Sequence, residues 1–278
     1  MINGINSREM ILEILLEIEE GEHSHVAIRN ALSKYQFLPK QDRAFITRVC
    51  EGTLEYRIQI DYIINSFSKV TVDKMKPAIR EILRSAVYQL KYMDSVPDSA
   101  VCNEAVKLAQ RKGFYNLKPF VNGVLRTIAR EMDQVRFPQK EDDLLKYLSV
   151  KYSMPEVLVT RWLEAYGEET TEKILADFLM EHPLTIRCRT YLNSKEEVIK
   201  SLESQGVHVA PAPYLPYAYS ISEFNHILAL DAFIKGKIVV QDVSSMLVAE
   251  VADPKKGDYV IDVCAAPGGK SLHMGDKM

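Results

Sequence analysis

The stretch PAIREILRSAVYQL, residues 77–90, decides the fold of the N-terminal half of the chain. Its apolar residues recur three and four positions apart from Ile79 to Leu90, which is the spacing of one helix face. Pro77 suits the first turn of a helix because that position needs no N–H donor. The stretch therefore predicts an amphipathic helix that buries one face against neighbouring helices.

The same periodicity continues on both sides of this stretch. Residues 7–20, 41–64 and 117–130 also place apolar residues at helical spacing. The alternation typical of a strand does not occur before about residue 184. We expect an all-α helical bundle over residues 1–136.

The pattern changes in the middle of the chain. Residues 137–182 are helical in periodicity but more polar, and LTIRCRTYL (184–192) alternates as a strand does. SKEEVIKSLESQG (194–206) predicts a charged amphipathic helix, and VHVAPAPYLPYAYSI (207–221) mixes strand and proline-rich loop. We expect a helical linker and a small α/β lead-in domain over residues 137–232.

Residues 233–278 alternate short apolar runs with polar turns. GKIVVQD predicts a short strand, SSMLVAEVAD a helix capped by Ser244, DYVIDVC (258–264) a buried strand, and GGKSLHMGDKM the start of a helix. A buried strand, a glycine-containing turn and a helix N-terminus form a common ligand-binding geometry. We expect the first βα unit of a Rossmann-like domain here.

The sequence GGKS in this turn raises the question of a phosphate-binding loop. A Walker A loop needs G-x-x-x-x-G-K-[ST], and Gly269, Lys270 and Ser271 fit only its end. The first glycine would fall at Cys264, and Pro267 places a rigid residue inside the phosphate cradle. The spacing disfavours a P-loop and leaves an ordinary βα turn and another ligand loop as alternatives.

The composition is that of a soluble globular protein. The 278 residues are 47% hydrophobic and 26% charged, with a formal net charge of −3. The N-terminus lacks the basic segment of a signal peptide, and no apolar run approaches the ~18–20 residues of a membrane span. The four cysteines show no metal-ligand spacing. We expect a cytoplasmic protein without membrane contact and without a metal.

VIDVCAAPGGKS (260–271), preceded by VVQDVSSMLVAEVADPKKGD, resembles the S-adenosylmethionine loop of the RNA cytosine-C5 methyltransferases, the NOL1/NOP2/Sun family. The shared features are an upstream Q-D-x-S-S segment and the core D-x-C-A-A-P-G-G-K. The resemblance implies S-adenosyl-L-methionine as cofactor, with its methionine and ribose end wrapped by the loop. The residues it implies at the cofactor are Asp262, Cys264, Ala265, Ala266, Pro267, Gly268, Gly269 and Lys270.

The N-terminal helices resemble a NusB-type RNA-binding domain. The resemblance lies in residues 42–64, 78–110 and 120–126. A NusB-like domain ahead of this cofactor loop is similar to the bacterial rRNA methyltransferases of the same family, and it implies that the domain helps to hold 16S rRNA by salt-dependent phosphate contacts. The candidates for these contacts are Arg43, Arg48, Arg57, Arg111, Lys112, Lys118, Arg126 and Arg130.

Methylation at C5 of cytosine requires covalent catalysis, since C5 becomes nucleophilic only after a thiolate has added to C6. The resemblance places the family's two catalytic cysteines in motifs that we expect beyond residue 278, so no catalytic residue is assigned. Cys264 is expected to pack against the cofactor. Cys50 and Cys102 lie on apolar helix faces, and Cys188 is expected to point away from the arginines beside it.

The leading interpretation is the N-terminal portion of an S-adenosylmethionine-dependent 16S rRNA cytosine-C5 methyltransferase, monomeric, multidomain α plus α/β, and catalytically incomplete within these residues. The apolar strand 258–264 lacks neighbours, so we expect residues 255–278 to be poorly ordered or to pack on the preceding α/β segment, and we expect cofactor binding to be weak. The alternative is a non-enzymatic NusB-like RNA-binding module related to transcription antitermination.

Overall fold

The structure, a computed structural model, describes residues 6–35, 38–180 and 182–278. The chain divides into two compact units, the N-terminal unit Met1–Met180 and the C-terminal unit Glu181–Met278. The predicted boundaries after residues 136 and 232 do not coincide with this division. The three-domain organisation therefore stays a prediction.

The described part of the N-terminal unit is helical, with short 3₁₀ turns between some of the helices. The predicted all-α bundle is confirmed in these residues. Its helices are α1 (Ser7–Glu19), α2 (Ser24–Lys34), α3 (Lys40–Glu55), α4 (Arg57–Phe67), α5 (Pro77–Tyr92), α6 (Asp98–Arg111), α7 (Lys118–Glu131), α8 (Leu144–Lys151) and α9 (Glu156–Phe178).

Helix α5 is the centre of the bundle and packs against α1, α3, α4, α6 and α7. It starts with Pro77 in the first turn, and its buried residues include Ile79, Ile82 and Leu83. Each such side chain contributes about 1.5–3 kcal/mol when it leaves water. The stretch that predicts the fold is thus the helix on which the bundle is built.

Helices α8 and α9 belong to the same compact unit as the bundle, whereas the sequence suggested a linker. The side-chain amide of Gln59 on α4 donates to the carbonyls of Val150 and Lys151 at 3.2 and 3.1 Å. The Ile58 amide donates to Ser153 Oγ at 3.0 Å. These hydrogen bonds satisfy carbonyl groups at the end of α8 and attach α8 to α4. The polar composition of the segment gave no indication of this attachment.

The C-terminal unit is a four-stranded sheet with helices. Its elements are β1 (Leu184–Cys188), α10 (Lys195–Glu203), β2 (His208–Pro211), β3 (Ala218–Ser222), α11 (Asp231–Ile234), β4 (Ile238–Val240), α12 (Val243–Ala252) and α13 (Gly269–Lys277). The strand order is β2-β3-β1-β4, and every neighbouring pair is antiparallel. Ile186 at the centre of β1 pairs with Tyr219 on one side and Val240 on the other.

Both faces of β1 are covered. Ile186 and Cys188 are buried in an apolar cluster with Val198 and Leu202 of α10. Successive side chains of a strand point to opposite faces, so Arg187 lies on the other face, where it pairs with Asp276 of α13. Helices therefore lie on both faces of β1. The α/β lead-in predicted over residues 137–232 contains β1 to β3, whereas β4 and α13 lie beyond its predicted boundary.

The predicted buried strand over residues 258–264 is wrong. No strand forms there, and Tyr259, Ile261 and Val263 are exposed. A strand needs a ladder partner, and residues 258–264 form no ladder with β4, the edge strand of the sheet, which pairs with β1 alone. The helix predicted after the loop is present as α13. Helix α12 is capped by the Asp242 side chain, which accepts from the Ser244 amide at 2.8 Å, so the predicted Ser244 cap is also wrong.

Candidate functional site

A cavity of about 250 Å³ lies in the C-terminal unit between the loop 262–270 and the start of α12. Residues from the end of β4 to α12 form one wall, and the loop with the first turn of α13 forms the other. The lining residues are Val240, Gln241, Asp242, Ser245, Asp262, Cys264, Ala265, Ala266, Pro267, Gly269 and Lys270. We call it the loop cavity.

Asp262 closes the loop on itself. Its carboxylate accepts from the Cys264 amide at 3.0 Å and from Ser271 Oγ at 2.5 Å. These two hydrogen bonds hold the pKa of Asp262 below its ordinary value, and the bond from Ser271 has the larger effect. Gly268 precedes α13 with φ of 103°, in the left-handed region where a side chain would be strained. A tight turn therefore delivers the chain directly into the first turn of a helix.

The charges around the loop cavity are mixed. Asp242 and Asp262 supply carboxylates, and their pKa values are held low by hydrogen bonds, so both are ionised at neutral pH. Lys270 supplies one cation, and the first turn of α13 has no side-chain cap for its free N–H groups. Two carboxylates in the cavity are unfavourable for a phosphate group, which agrees with the disfavoured P-loop.

The residues present fit one end of S-adenosylmethionine. Its ammonium and sulfonium cations complement the two aspartates, and its carboxylate complements Lys270 and the helix N–H groups. Gln241 adds a buried side-chain amide whose Nε2 has no hydrogen-bond partner among the described residues. The volume lies below the 300–1,000 Å³ of a typical small-molecule site, so the cavity has room for only part of a molecule of that size.

The structure brings seven of the eight predicted cofactor residues to this cavity, and the eighth, Gly268, forms the turn behind it. Sequence reasoning did not assign Gln241, Asp242 and Ser245, which complete the opposite wall. The sequence did contain a signal for these three residues, because all of them belong to the Q-D-x-S-S segment that supported the resemblance.

Three of the four cysteines are buried, as the sequence predicts. Cys50, Cys102 and Cys188 are buried, and burial raises the pKa of each thiol, for Cys188 to about 11 in spite of nearby Arg187. Cys264 is exposed at the loop cavity. The three buried thiols are therefore protonated at neutral pH and poor nucleophiles.

A polar network lies behind the loop cavity. The Arg187 guanidinium is 2% exposed; it donates to Gln241 Oε1 at 2.9 Å and pairs with Asp276 at 2.7 Å. Arg189 also pairs with Asp276, at 2.8 Å. Burial would raise the Asp276 pKa, but the hydrogen bonds from both arginines outweigh it and the pKa lies below its ordinary value. The network keeps α13 on the face of β1.

A second polar site lies in the N-terminal unit, in the groove between α6 and α7. The groove has a volume of about 450 Å³ and is lined by Asn103, Val106, Lys107, Gln110, Lys118, Pro119 and Asn122. Arg126 adjoins it and donates to Asn122 Oδ1 at 2.9 Å and to Asn103 Oδ1 at 3.4 Å. Lys118, Asn122 and Arg126 are four residues apart on α7, so they share one face. We call this the α6–α7 groove.

The structure thus brings together Lys118 and Arg126 from the predicted RNA contacts. Sequence reasoning missed Lys107 and the amide side chains between them, although their spacing on α6 could have indicated a common face. The other candidates are dispersed. Arg43, Arg48 and Arg57 belong to α3 and α4, with Arg48 donating to the Tyr92 carbonyl at 3.4 Å.

The remaining candidates carry acidic partners. Lys112 pairs with Glu13 at 3.0 Å and with Glu9 at 3.6 Å, and Arg111 lies 3.9 Å from Glu9. Arg130 pairs with the neighbouring Glu131 at 2.6 Å. Lys107 of the α6–α7 groove likewise pairs with Glu104 at 2.7 Å, whereas Lys118 and Arg126 form no ion pair among the described residues. These two cations make the groove the stronger candidate for contact with an anionic polymer.

Among the residues that the structure describes, no helix is long and apolar enough to cross a membrane. The same residues contain no group of three or more His, Cys, Asp or Glu side chains that could hold a metal ion.

Two family matches define the class of protein. Residues 5–130 match the NusB family, and residues 154–227 match the ferredoxin-like domain of RsmF/B-like methyltransferases. The first match covers helices α1 to α6 and almost all of α7, and the second covers α9 and the strands β1, β2 and β3. The chain therefore combines a NusB-family domain with a ferredoxin-like domain of a methyltransferase type.

Similar proteins specify the class further. A Bacillus subtilis (strain 168) protein named "Probable ribosomal RNA small subunit methyltransferase B" is 34% identical over 98% of this chain and 60% of its own length. A Synechocystis (strain ATCC 27184 / PCC 6803 / Kazusa) protein of the same name is 31% identical over 99% of this chain and 61% of its own length. The crystal structure of PH0851 matches with a TM-score of 0.71 and 26% identity over 99% of this chain and 62% of that one.

The chain is thus a homologue of the ribosomal RNA small subunit methyltransferase B proteins, and its N-terminal domain belongs to the NusB family. It spans about three fifths of the length of the relatives that it matches.

Proposed function

We propose that this chain supplies the RNA-holding domain and one end of the cofactor site of an S-adenosylmethionine-dependent methyltransferase that acts on cytosine C5 in 16S rRNA. The observation that carries the proposal is the loop cavity, in which D-x-C-A-A-P-G-G-K faces Gln241 and Asp242. The names of the relatives support ribosomal RNA of the small subunit as the substrate. The cytosine-C5 target is inferred from the resemblance of the loop.

When bound, S-adenosylmethionine supplies a methyl group on a cationic sulfur. The residues of this chain bind and orient it. Asp262 holds the turn through Cys264 and Ser271. Lys270 and the first N–H groups of α13 would hold the carboxylate of the cofactor, and Asp242 would hold one of its cationic groups.

The nucleophile of the proposed reaction is not among the cysteines of these residues. Cys50, Cys102 and Cys188 are buried with raised pKa values, and Cys264 belongs to the cofactor loop. We infer that the thiol which adds to C6 lies outside residues 1–278. We also propose that the protein is a monomer in the cytoplasm.

The RNA contact is assigned to the N-terminal unit. The α6–α7 groove joins the cations Lys107, Lys118 and Arg126 to amide side chains. Cations contact phosphates, and amides can donate to and accept from base edges or ribose. This combination supports binding of an rRNA strand along the groove.

Equilibrium dialysis of S-adenosylmethionine against the 278-residue chain tests the cofactor assignment. We expect weak but saturable binding in the chain as it stands. Lys270→Ala should weaken it by about tenfold, since a charge-assisted hydrogen bond contributes about 1.5 kcal/mol or more. Lys256→Ala, an exposed lysine outside the cavity, is the matched control and should bind as the unaltered chain does. Absence of binding at millimolar cofactor would contradict the assignment.

Filter binding of the chain to 16S rRNA fragments across salt concentrations tests the RNA assignment. The logarithm of affinity should fall linearly with the logarithm of salt, and Lys118→Ala should reduce the magnitude of the slope by about 1. Lys173→Ala, an exposed lysine on α9, serves as control. RNA binding without any cofactor binding would favour the alternative, a non-enzymatic RNA-binding module. A response independent of salt would count against phosphate contact.

A further inference from the structure

Arg187 is a buried guanidinium at the centre of the C-terminal unit. It lies in β1 and is 2% exposed. A buried charge of this kind is unfavourable unless it is paired and hydrogen-bonded. Its Nε donates to Gln241 Oε1 at 2.9 Å, and its Nη1 lies 2.7 Å from Asp276 Oδ2. The side chain therefore has two fixed partners on two different elements.

These two partners belong to the two walls of the loop cavity. Gln241 lines the cavity directly, between β4 and α12. Asp276 lies on α13, whose first residues Gly269 and Lys270 line the opposite wall. One guanidinium thus connects both walls from behind, without lining the cavity itself.

The hydrogen bond to Arg187 also orients the Gln241 amide. A guanidinium only donates, so the carbonyl oxygen of Gln241 must face it. The amide nitrogen is then the remaining polar atom; it is buried and has no partner among the described residues. This nitrogen is enclosed by the protein, so the bond from Arg187 fixes the position of the Gln241 side chain within the cavity wall.

Arg189 is the internal comparison. It pairs with the same Asp276, through Nε at 3.1 Å and Nη2 at 2.8 Å, but it has no contact with Gln241. Its side chain is 28% exposed, against 3% for Arg187. If the arginines served only to attach α13 to the sheet, replacing either one should disturb the loop cavity in the same way. Only Arg187 can couple the two walls.

We propose that Arg187 is the positioning residue of the loop cavity: it fixes the Gln241 amide and the start of α13 in register for the methyl-donor cofactor. The proposal rests on the proposed function for the identity of the ligand. Its structural half, that Arg187 holds the two walls together, stands without the cofactor. Through Arg187, strand β1 of the antiparallel sheet would thus help to position the walls of the cofactor site.

The test uses the 278-residue chain with Arg187→Met, Arg187→Lys and the control Arg189→Met. The first readout is hydrogen exchange, without ligand, in peptides covering 241–247 and 262–272. Arg187→Met should increase exchange in both peptides, and Arg189→Met should leave 241–247 unchanged. The second readout is the dissociation constant for S-adenosylmethionine. It should rise about tenfold in Arg187→Met, an effect within the range for residues that act on a ligand through their neighbours, and less in Arg187→Lys, which retains the charge but not the fork geometry.

The outcomes separate this inference from the proposed function. Equal exchange and equal affinity in Arg187→Met and Arg189→Met would overturn the inference. Absence of cofactor binding in the unaltered chain would contradict the proposed function, while the exchange experiment would still decide the structural half. If Arg187→Met does not fold, the double variant Arg187→Met/Asp276→Asn removes the buried carboxylate that has lost one of its two arginine partners. In that variant, exchange at 241–247 matching Arg189→Met would likewise overturn the inference.

Discussion

The buried imidazole of His273 makes the C-terminal unit sensitive to mild acid. His273 lies on α13, is 3% exposed, and packs edge-on against Tyr217 with ring centroids 5.6 Å apart. Its Nδ1 has no hydrogen-bond partner among the described residues. Burial, and then the neighbouring Arg187, lower the pKa of His273 from 6.5 to about 4. The other charges around it are Glu250, Asp276 and Lys277.

The sign follows from proton linkage. Between pH 6.5 and 4 the unfolded state binds a proton at this histidine and the folded state does not, so the stabilisation present above pH 6.5 is lost as pH falls. With these pKa values, the free energy of unfolding should decrease by about 2 kcal/mol between pH 7.5 and pH 5. Carboxylates contribute little in this window, since they titrate mainly below it.

Hydrogen exchange of the α13 and β1 peptides, corrected for the intrinsic pH dependence of exchange, measures this loss. His273→Phe keeps an aromatic ring and removes the titrating group, so its stability should be nearly constant over the same range. His226→Phe, at an exposed histidine, should retain the loss. An equal loss of stability in His273→Phe and in the unaltered chain, or no loss in the unaltered chain, would show that His273 is not the titrating group.

Three further results are expected. In urea denaturation, Gly52→Ala should destabilise the N-terminal unit by about 1–3 kcal/mol, because the added methyl group overlaps a buried tyrosine ring of α5. Gly123→Ala has open space on α7 and should stabilise the unit by up to about 1 kcal/mol, so equal effects of the two substitutions would contradict this packing. Arg84→Met leaves the buried Glu81 carboxylate without its hydrogen-bonded partner and should lower the free energy of unfolding by about 3 kcal/mol. A loss below about 1 kcal/mol would show that the ion pair contributes little to stability. Native alkylation followed by mass spectrometry should label Cys264 first among the four thiols, and faster labelling of any other cysteine would contradict the burial pattern.

The helical bundle could be predicted from sequence because its signal is local. The spacing of Ile79, Ile82 and Leu83 and the position of Pro77 describe a single amphipathic helix, and each flanking helix shows the same pattern. The strand predicted at 258–264 failed because a strand depends on a partner elsewhere in the chain. The apolar residues alone could not show that β4 pairs with β1 in an antiparallel sheet.

The candidate site was predictable where a continuous motif carries it. Cys264 to Lys270 follow one another, so one stretch of sequence indicates the whole loop. Arg187 and Asp276 lie 89 positions apart in the chain and meet only because β1 and α13 pack together. The α6–α7 groove likewise combines two helices, and the sequence gives no direct indication of which faces meet.

An amide NMR titration of the isotopically labelled chain with S-adenosylmethionine, up to millimolar concentration, tests most directly whether the loop binds the methyl donor. We expect saturable chemical-shift changes concentrated at Gln241, Asp262, residues 264–266 and residues 268–270, with little change in the N-terminal unit. Shift changes that map elsewhere, or a spectrum that stays unchanged at saturating cofactor, would contradict the claim that this loop binds the methyl donor.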